Sequence, residues 1–115
     1  MLQVKYKIWL DDEGVIFGKG PYELLSGVKE NGSLSVAAKG MGMSYNKAHN
    51  LIKKIEERLG FKLLVSKSGG SKGGGSSLTE EAEKLMKIYE NFILECEQHL
   101  QSVFDRHFKN ADIFK

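Results

Sequence analysis

Residues 32–60, GSLSVAAKGMGMSYNKAHNLIKKIEERLG, constrain the fold of this chain more than any other stretch. Two helical patterns lie there, separated by a tight turn. Ser33 and Ser44 stand where a serine oxygen accepts a hydrogen bond from a free first-turn N–H, so each predicts a helix start. Ala37, Ala38 and Met41 put small and apolar groups on the inner side of the first helix, and Gly42 supplies the permissive backbone of the turn. Ala48, Leu51, Ile52, Ile55 and Leu59 recur at three- and four-residue steps, one buried stripe on the second helix. The opposite side carries Tyr45, Asn46, His49, Asn50 and Lys53. A short helix, a sharp turn and a longer helix with a polar outer face suggest a helix-turn-helix, whose second helix would enter a DNA major groove. On periodicity alone, an ordinary helical hairpin in a small core fits as well.

The flanking segments bear on that choice. Residues 3–10, QVKYKIWL, alternate Val4, Tyr6, Ile8 and Leu10 with Gln3, Lys5, Lys7 and Trp9, which predicts a half-buried strand. Trp9 is either a surface aromatic or a contact with another chain. Asp11–Gly14 is a turn, and Val15–Phe17 fit a short return strand. A first helix is predicted from about Pro21 to Asn31, with Tyr22, Leu24, Leu25 and Val28 inward and Gly32 as its stop. The two helices that follow need it as a third wall, because they bury too little surface alone.

Phe61 to Val65 read as a strand, followed by SKSGGSKGGGSSLT. Strand, glycine-rich loop and short return strand form the wing of a winged helix, with Lys67 and Lys72 able to lie against phosphates. A phosphate-binding loop needs Gly-Lys-Ser/Thr, and Lys72 sits between a serine and a glycine, so that pattern fails. A flexible linker fits the composition, but apolar residues on both sides favour a hairpin tip.

From Thr79, a helix cap, to about His107 the chain reads as one long helix. Leu85, Tyr89, Phe92, Cys96, His99 and Val103 follow alternating four- and three-residue steps, and Met86, Ile93 and Leu100 add a parallel row. A helix of ~28 residues spans about 42 Å, longer than so small a domain needs. Its excess apolar face suggests a homodimer through Leu85, Tyr89, Phe92, Ile93, Cys96, Leu100 and Val103, the alternative being a helix folded back on its own domain. Two units are expected: a winged head with N-terminal strands at 1–78, and a dimerisation helix with its tail at 79–115. The predicted fold class is mainly α with a small β wing.

Charge follows this division. The net charge is only +2, yet residues 39–75 hold eight cations against two carboxylates, and residues 79–107 hold three against seven. A basic middle beside an acidic helix points to an anionic partner for the middle. No apolar run approaches the ~18 residues of a membrane span. Leu10-Asp11-Asp12-Glu13 breaks any signal-peptide core, and Cys96, the single cysteine, permits no internal disulfide. A cytoplasmic, nucleoid-associated protein without a membrane partner is therefore expected. Cys96 and His99 are three apart, with His107 two turns beyond, but structural zinc wants four ligands, so packing is the simpler role and no metal or cofactor is expected. No catalytic constellation stands out, so an enzyme is not expected.

With these residues in view, the segment 32–60 resembles the DNA-binding segment of LysR-type regulators, through its Ser-x-x-Ala-Ala core and Glu-Arg-Leu-Gly ending. It is more similar still to the N-terminal domain of ModE-type molybdate-responsive regulators, in the Gly-Ser-x-Ser-x-x-Ala-Lys and Ser-Tyr forms at 32–39 and 44–45 and the glycine-rich wing, Gly69–Thr79, ending in Leu-Thr. The resemblance covers about residues 20 to 95. It implies a winged helix whose long terminal helix and N-terminal strands form a dimer. It also implies C-terminal β-rich molybdate-binding domains, which are not expected here because the sequence stops after the long helix.

The residues expected to meet DNA are Ser44, Tyr45, Asn46, Lys47, His49, Asn50 and Lys53 on the second helix, with Ser35, Lys54, Lys67 and Lys72 as flanking or phosphate contacts. Asn50 suits an adenine edge, and Lys53 or Lys47 a guanine or a phosphate. A dimer would present two such surfaces to an inverted repeat with half-sites ~34–36 Å, or a multiple, apart. Two functions remain: a dimeric sequence-specific transcription regulator bound to double-stranded DNA, or a protein-interaction module that uses the fold without binding DNA.

Overall fold

A computed structural model describes residues 1–67 and 75–114 of the chain. The two serine caps form as expected: Ser33 Oγ accepts from the Val36 N–H and Ser44 Oγ from the Lys47 N–H, each at 3.1 Å. They open helices α2 (Leu34–Gly40) and α3 (Tyr45–Leu59). Between them the Met43 N–H bonds back to Ala38 O at 2.9 Å, and Gly42 takes φ 68°, a left-handed conformation that a side chain would strain.

Helix α1 (Lys19–Asn31) begins two residues before the predicted start, with its first turn closed by Tyr22 N–H to Gly18 O at 3.0 Å. Pro21 falls inside that first turn, where its missing N–H has no helical partner to lose. Leu24, Leu25 and Val28 of α1, Ala37 and Ala38 of α2, and Ala48, Ile52 and Ile55 of α3 are buried in one core. Full burial of each large aliphatic side chain contributes roughly 1.5–3 kcal/mol. Helices α1 and α2 approach closely at Gly27, where a Cβ would fall 2.7 Å from Ala37 Cβ.

The wing is an antiparallel pair, β3 (Leu64–Lys67) with β4 (Gly75–Leu78), in register Leu64 to Leu78 and Lys67 to Gly75. Its first strand starts three residues later than predicted. Leu63 ahead of it is fully buried, and Phe61 also packs on the core. The expected glycine tip, with Lys72, lies outside the described residues. Beyond the wing, Thr79 caps α4 (Glu80–Phe104), which passes into a π-helical turn over Asp105–Lys109 and a 3-10 turn over Asp112–Phe114. At 1.5 Å per residue α4 runs for about 38 Å, and it makes the molecule elongated, 66 × 27 × 22 Å.

One expectation changes. The N-terminal strand predicted over 3–10 exists only as β1 (Leu10–Asp11), paired with β2 (Val15–Phe17) across a bulge. Residues 1–9 carry no strand pairing, because a strand needs a neighbouring backbone and here the neighbour is a helix. Val4 to Ile8 share a groove with Tyr89, Ile93 and Leu94 of α4, and Tyr89 Oη donates to Ile8 O at 3.3 Å.

The first turns of α4 belong to the same core: Ala82, Met86 and Tyr89 are buried. The Tyr89 ring meets Phe17 edge-on at 5.1 Å and lies 5.5 Å from Tyr22, whose hydroxyl donates to Glu90 Oε2 at 2.5 Å. That hydrogen bond, then burial, push the Tyr22 pKa up against an opposing bond to Ser26. Burial alone raises Tyr89.

Candidate nucleic-acid interface

Helix α3 buries one stripe and leaves the rest of its surface open. With Ala48, Ile52 and Ile55 turned inward, Tyr45, Asn46, Lys47, Asn50, Lys53 and Lys54 are exposed and His49 is half-buried. At about 100° per residue, Asn46, His49, Asn50 and Lys53 share the middle of this outer face, and Lys47 and Lys54, seven apart, form one edge. Tyr45 and His49 stack, with centroids 5.7 Å apart and planes at 25°, an i, i+4 pairing that the sequence reading did not single out. The hydroxyl of Ser44 is occupied by its own helix cap. Ser35 is exposed in the first turn of α2, and Lys67 is exposed at the upper end of β3.

Electrostatics separates these lysines from the ion-paired ones of the head, although Lys5 and Lys7 near the N-terminus also lack an ion-pair partner among the described residues. Lys29 pairs with Glu83 at 3.0 Å, Lys62 with Glu56 at 3.8 Å and Lys19 with Glu23 at 3.9 Å, while Arg58 lies 3.8 Å from Glu13 and donates to Glu13 O. Lys39, Lys47, Lys53, Lys54 and Lys67 have no carboxylate partner among the described residues. An unpartnered, solvated ammonium is free to neutralise a phosphate without first breaking an ion pair. Lys39, in the last turn of α2, joins this set and was missing from the sequence-derived one, although it opens the basic run.

The residues expected at a dimer seam divide. Tyr89 is buried in the chain's own core, and Leu85 and Ile93 pack against that core, so all three serve the head from which α4 springs. Cys96 and Leu100 are half-buried, and Phe92 and Val103 are exposed. With Ile88, which is 67% exposed, Phe92 and Val103 leave an apolar strip on the outer side of α4. Among the described residues no cluster of His, Cys, Asp and Glu could hold a metal ion, and no helix is long and apolar enough to cross a membrane.

Comparison with known proteins agrees with this architecture. The family model described as "Bacterial regulatory helix-turn-helix protein, lysR family" matches residues 22–83, from α1 through the wing into α4. The chain is 32% identical over 80 residues to the molybdenum-pterin-binding protein MopB of Rhodobacter capsulatus, which covers 70% of this chain and 30% of that protein. It is 28% identical over 89 residues to the DNA-binding transcriptional dual regulator ModE of Escherichia coli K12, covering 77% of this chain and 31% of the relative. The chain thus spans about a third of the length of these curated relatives. Among solved structures, that of the CbnR_DBD–DNA complex superposes with a TM-score of 0.55 at 18% identity, covering 73% of this chain and 91% of that one, a likeness of fold. With the family match spanning more than half of its residues, this chain belongs to the bacterial regulatory helix-turn-helix proteins of the lysR family.

Proposed function

We propose that the chain is the DNA-reading part of a transcriptional regulator. It binds double-stranded DNA as a homodimer on an inverted repeat, and through its ModE and MopB relatives it is connected with molybdenum transport or metabolism. The head, residues 1–78, reads DNA, and residues 79–115 join two copies. The observation that carries this reading is the outer face of α3, polar and bearing Lys47, Lys53 and Lys54, none of which has an ion-pair partner among the described residues, with Glu57 an exposed carboxylate near the end of the helix. Asn46, His49 and Asn50 meet base edges. Lys47, Lys53, Lys54, Lys67 and Lys72, with Ser35 and Lys39, meet phosphates, while Ser44 and Tyr45 set the end of the helix at the groove. Nothing in this action is chemical, and the protein works in the cytoplasm, at the nucleoid.

The test is a titration with duplex genomic fragments between about 50 and about 200 mM salt. Binding that weakens steeply with salt, and weakens further in Lys53→Ala and Lys72→Ala, is the expected result. Absence of binding at physiological salt would leave the protein-interaction reading in its place.

A further inference from the structure

Three consecutive residues at the foot of the wing, Lys62 to Leu64, are held from two directions. From α3, Glu56 turns a side chain that is only 10% exposed toward them. Its Oε2 accepts from the Leu63 N–H at 2.7 Å and the Leu64 N–H at 3.3 Å, and its Oε1 lies 3.8 Å from Lys62 Nζ. From α4, Thr79 donates its hydroxyl to Lys62 O at 2.7 Å and its N–H to Leu63 O at 2.9 Å. The same hydroxyl oxygen accepts from the Ala82 N–H at 3.0 Å, so the helix cap and the strap to the wing are one group. Leu63 is fully buried beneath this junction, and Gly60, φ 82°, closes α3 with its N–H on Glu56 O.

A carboxylate that accepts two backbone N–H groups in a half-buried place forms charge-assisted bonds, and removing it takes that shared acceptor from both donors at once. Geometry gives the junction its reach. Lys67 stands about 10 Å up the strand from Leu64, so a small tilt at the foot becomes a large displacement of the wing's cation. We propose that Glu56 and Thr79 are positioning residues of the DNA-reading surface: they lock the foot of the wing to the recognition helix on one side and to α4 on the other, so that helix, wing and dimer helix turn as one body. This rests on the reading of α3 and the wing as the DNA contacts.

The test compares the full chain carrying Glu56→Leu with one carrying Glu56→Gln, which keeps an acceptor oxygen in place. Lys67→Ala serves as a wing-contact reference. Amide hydrogen exchange needs no DNA. In Glu56→Leu the amides of Leu63 to Lys67 and of their partners in β4 exchange about tenfold faster or more, while Leu24 and Ile52 keep their rates and Glu56→Gln stays close to the unsubstituted protein. On duplex DNA, Glu56→Leu lowers the salt slope by as much as Lys67→Ala, about 0.9 for each phosphate no longer neutralised, and the double variant lowers it no further. An unchanged slope in Glu56→Leu beside a lowered one in Lys67→Ala overturns the proposal. So does faster exchange spread evenly through the molecule, the mark of simple destabilisation. If the unsubstituted chain shows no salt-dependent DNA binding, the regulator reading fails, and the exchange pattern still decides the role of Glu56. If Glu56→Leu does not fold, Thr79→Val against Thr79→Ser makes the same comparison from the α4 side: faster wing exchange in the valine variant alone supports the junction, and equal rates in both overturn it.

Discussion

At Gly27 the packing of α1 on α2 leaves no room for a methyl group, since a Cβ there would meet Ala37 Cβ at 2.7 Å and Ala37 Cα at 3.3 Å. Both residues sit on helices whose other contacts fix their separation, so Gly27→Ala forces the helices apart and is expected to cost about 1–3 kcal/mol in urea unfolding. Gly20 lies in the same helix with nothing within 4 Å of its would-be Cβ. There the same substitution only restricts the unfolded chain and is expected to stabilise by about 0.4–1 kcal/mol. On the outer face of α3 the residue type decides what a substitution changes. Asn50→Ala removes a donor–acceptor pair suited to a base edge. It should relax sequence choice at one base pair by about 1–3 kcal/mol while leaving the salt slope alone. Lys53→Ala should weaken binding to all sequences alike and lower the slope by about 0.9, which fluorescence anisotropy with matched and mismatched duplexes distinguishes. Neither side chain is buried, so neither should move the melting temperature by more than a degree or two.

Between elements, the contact of α1 with α4 carries a pH signature. Tyr22 Oη donates to Glu90 Oε2, and this bond, more than burial, raises the tyrosine pKa. A raised pKa means that the folded state holds the proton more tightly than the unfolded chain does. The stabilisation is therefore complete below the ordinary tyrosine value of about 10 and disappears as pH rises through the higher folded value. Unfolding free energy should decline above that range, and Tyr22→Phe should flatten the decline in alkaline urea titrations while losing about 0.5–1.5 kcal/mol at neutral pH. The burial-raised Tyr89 acts in the same direction and leaves a residual slope. The sequence made the helices of the head legible because their signals are local: Ser33 and Ser44 cap within three residues, and the apolar stripe of α3 recurs within each turn. The outer face of α3 was legible for the same reason, being what the stripe leaves over. The strand expected over 3–10 was not, because alternation shows which side of a segment is apolar but not whether a backbone lies beside it. Glu56 escaped notice because its acceptors serve amides seven and eight residues further on, with no periodicity to mark them. Tyr89 was set at a seam between molecules because a heptad pattern looks alike whether the surface it meets belongs to a second copy or to the chain's own Phe17 and Tyr22.

The whole molecule is a head with a rod, and the rod carries its apolar surface on two sides. The inner side packs on the head and shares a groove with Val4 to Ile8, in which Leu94 stays exposed, while Ile88, Phe92 and Val103 face outward, the latter two each 43% exposed. Three large apolar groups in a strip along a solvated helix are what a second copy of the rod would bury in the proposed dimer. Phe92 stands near the middle of α4, and its side chain contributes nothing to the buried core. Phe92→Asp would place a charge, and in a two-fold pair two like charges, in the middle of that strip without disturbing the head. The variant should sediment at the 12.9 kDa of one chain where the unsubstituted protein sediments at twice that mass. Its affinity for a single half-site should be unchanged, because α3 and the wing are untouched. Its affinity for an inverted repeat should fall by a factor of about 10²–10⁴, the gain that linkage gives a second binding event. Equal loss on one half-site and on two would mean that α4 shapes the head rather than pairing it. A dimer that survives Phe92→Asp would place the seam elsewhere on the rod, and sedimentation together with the two duplexes separates these outcomes.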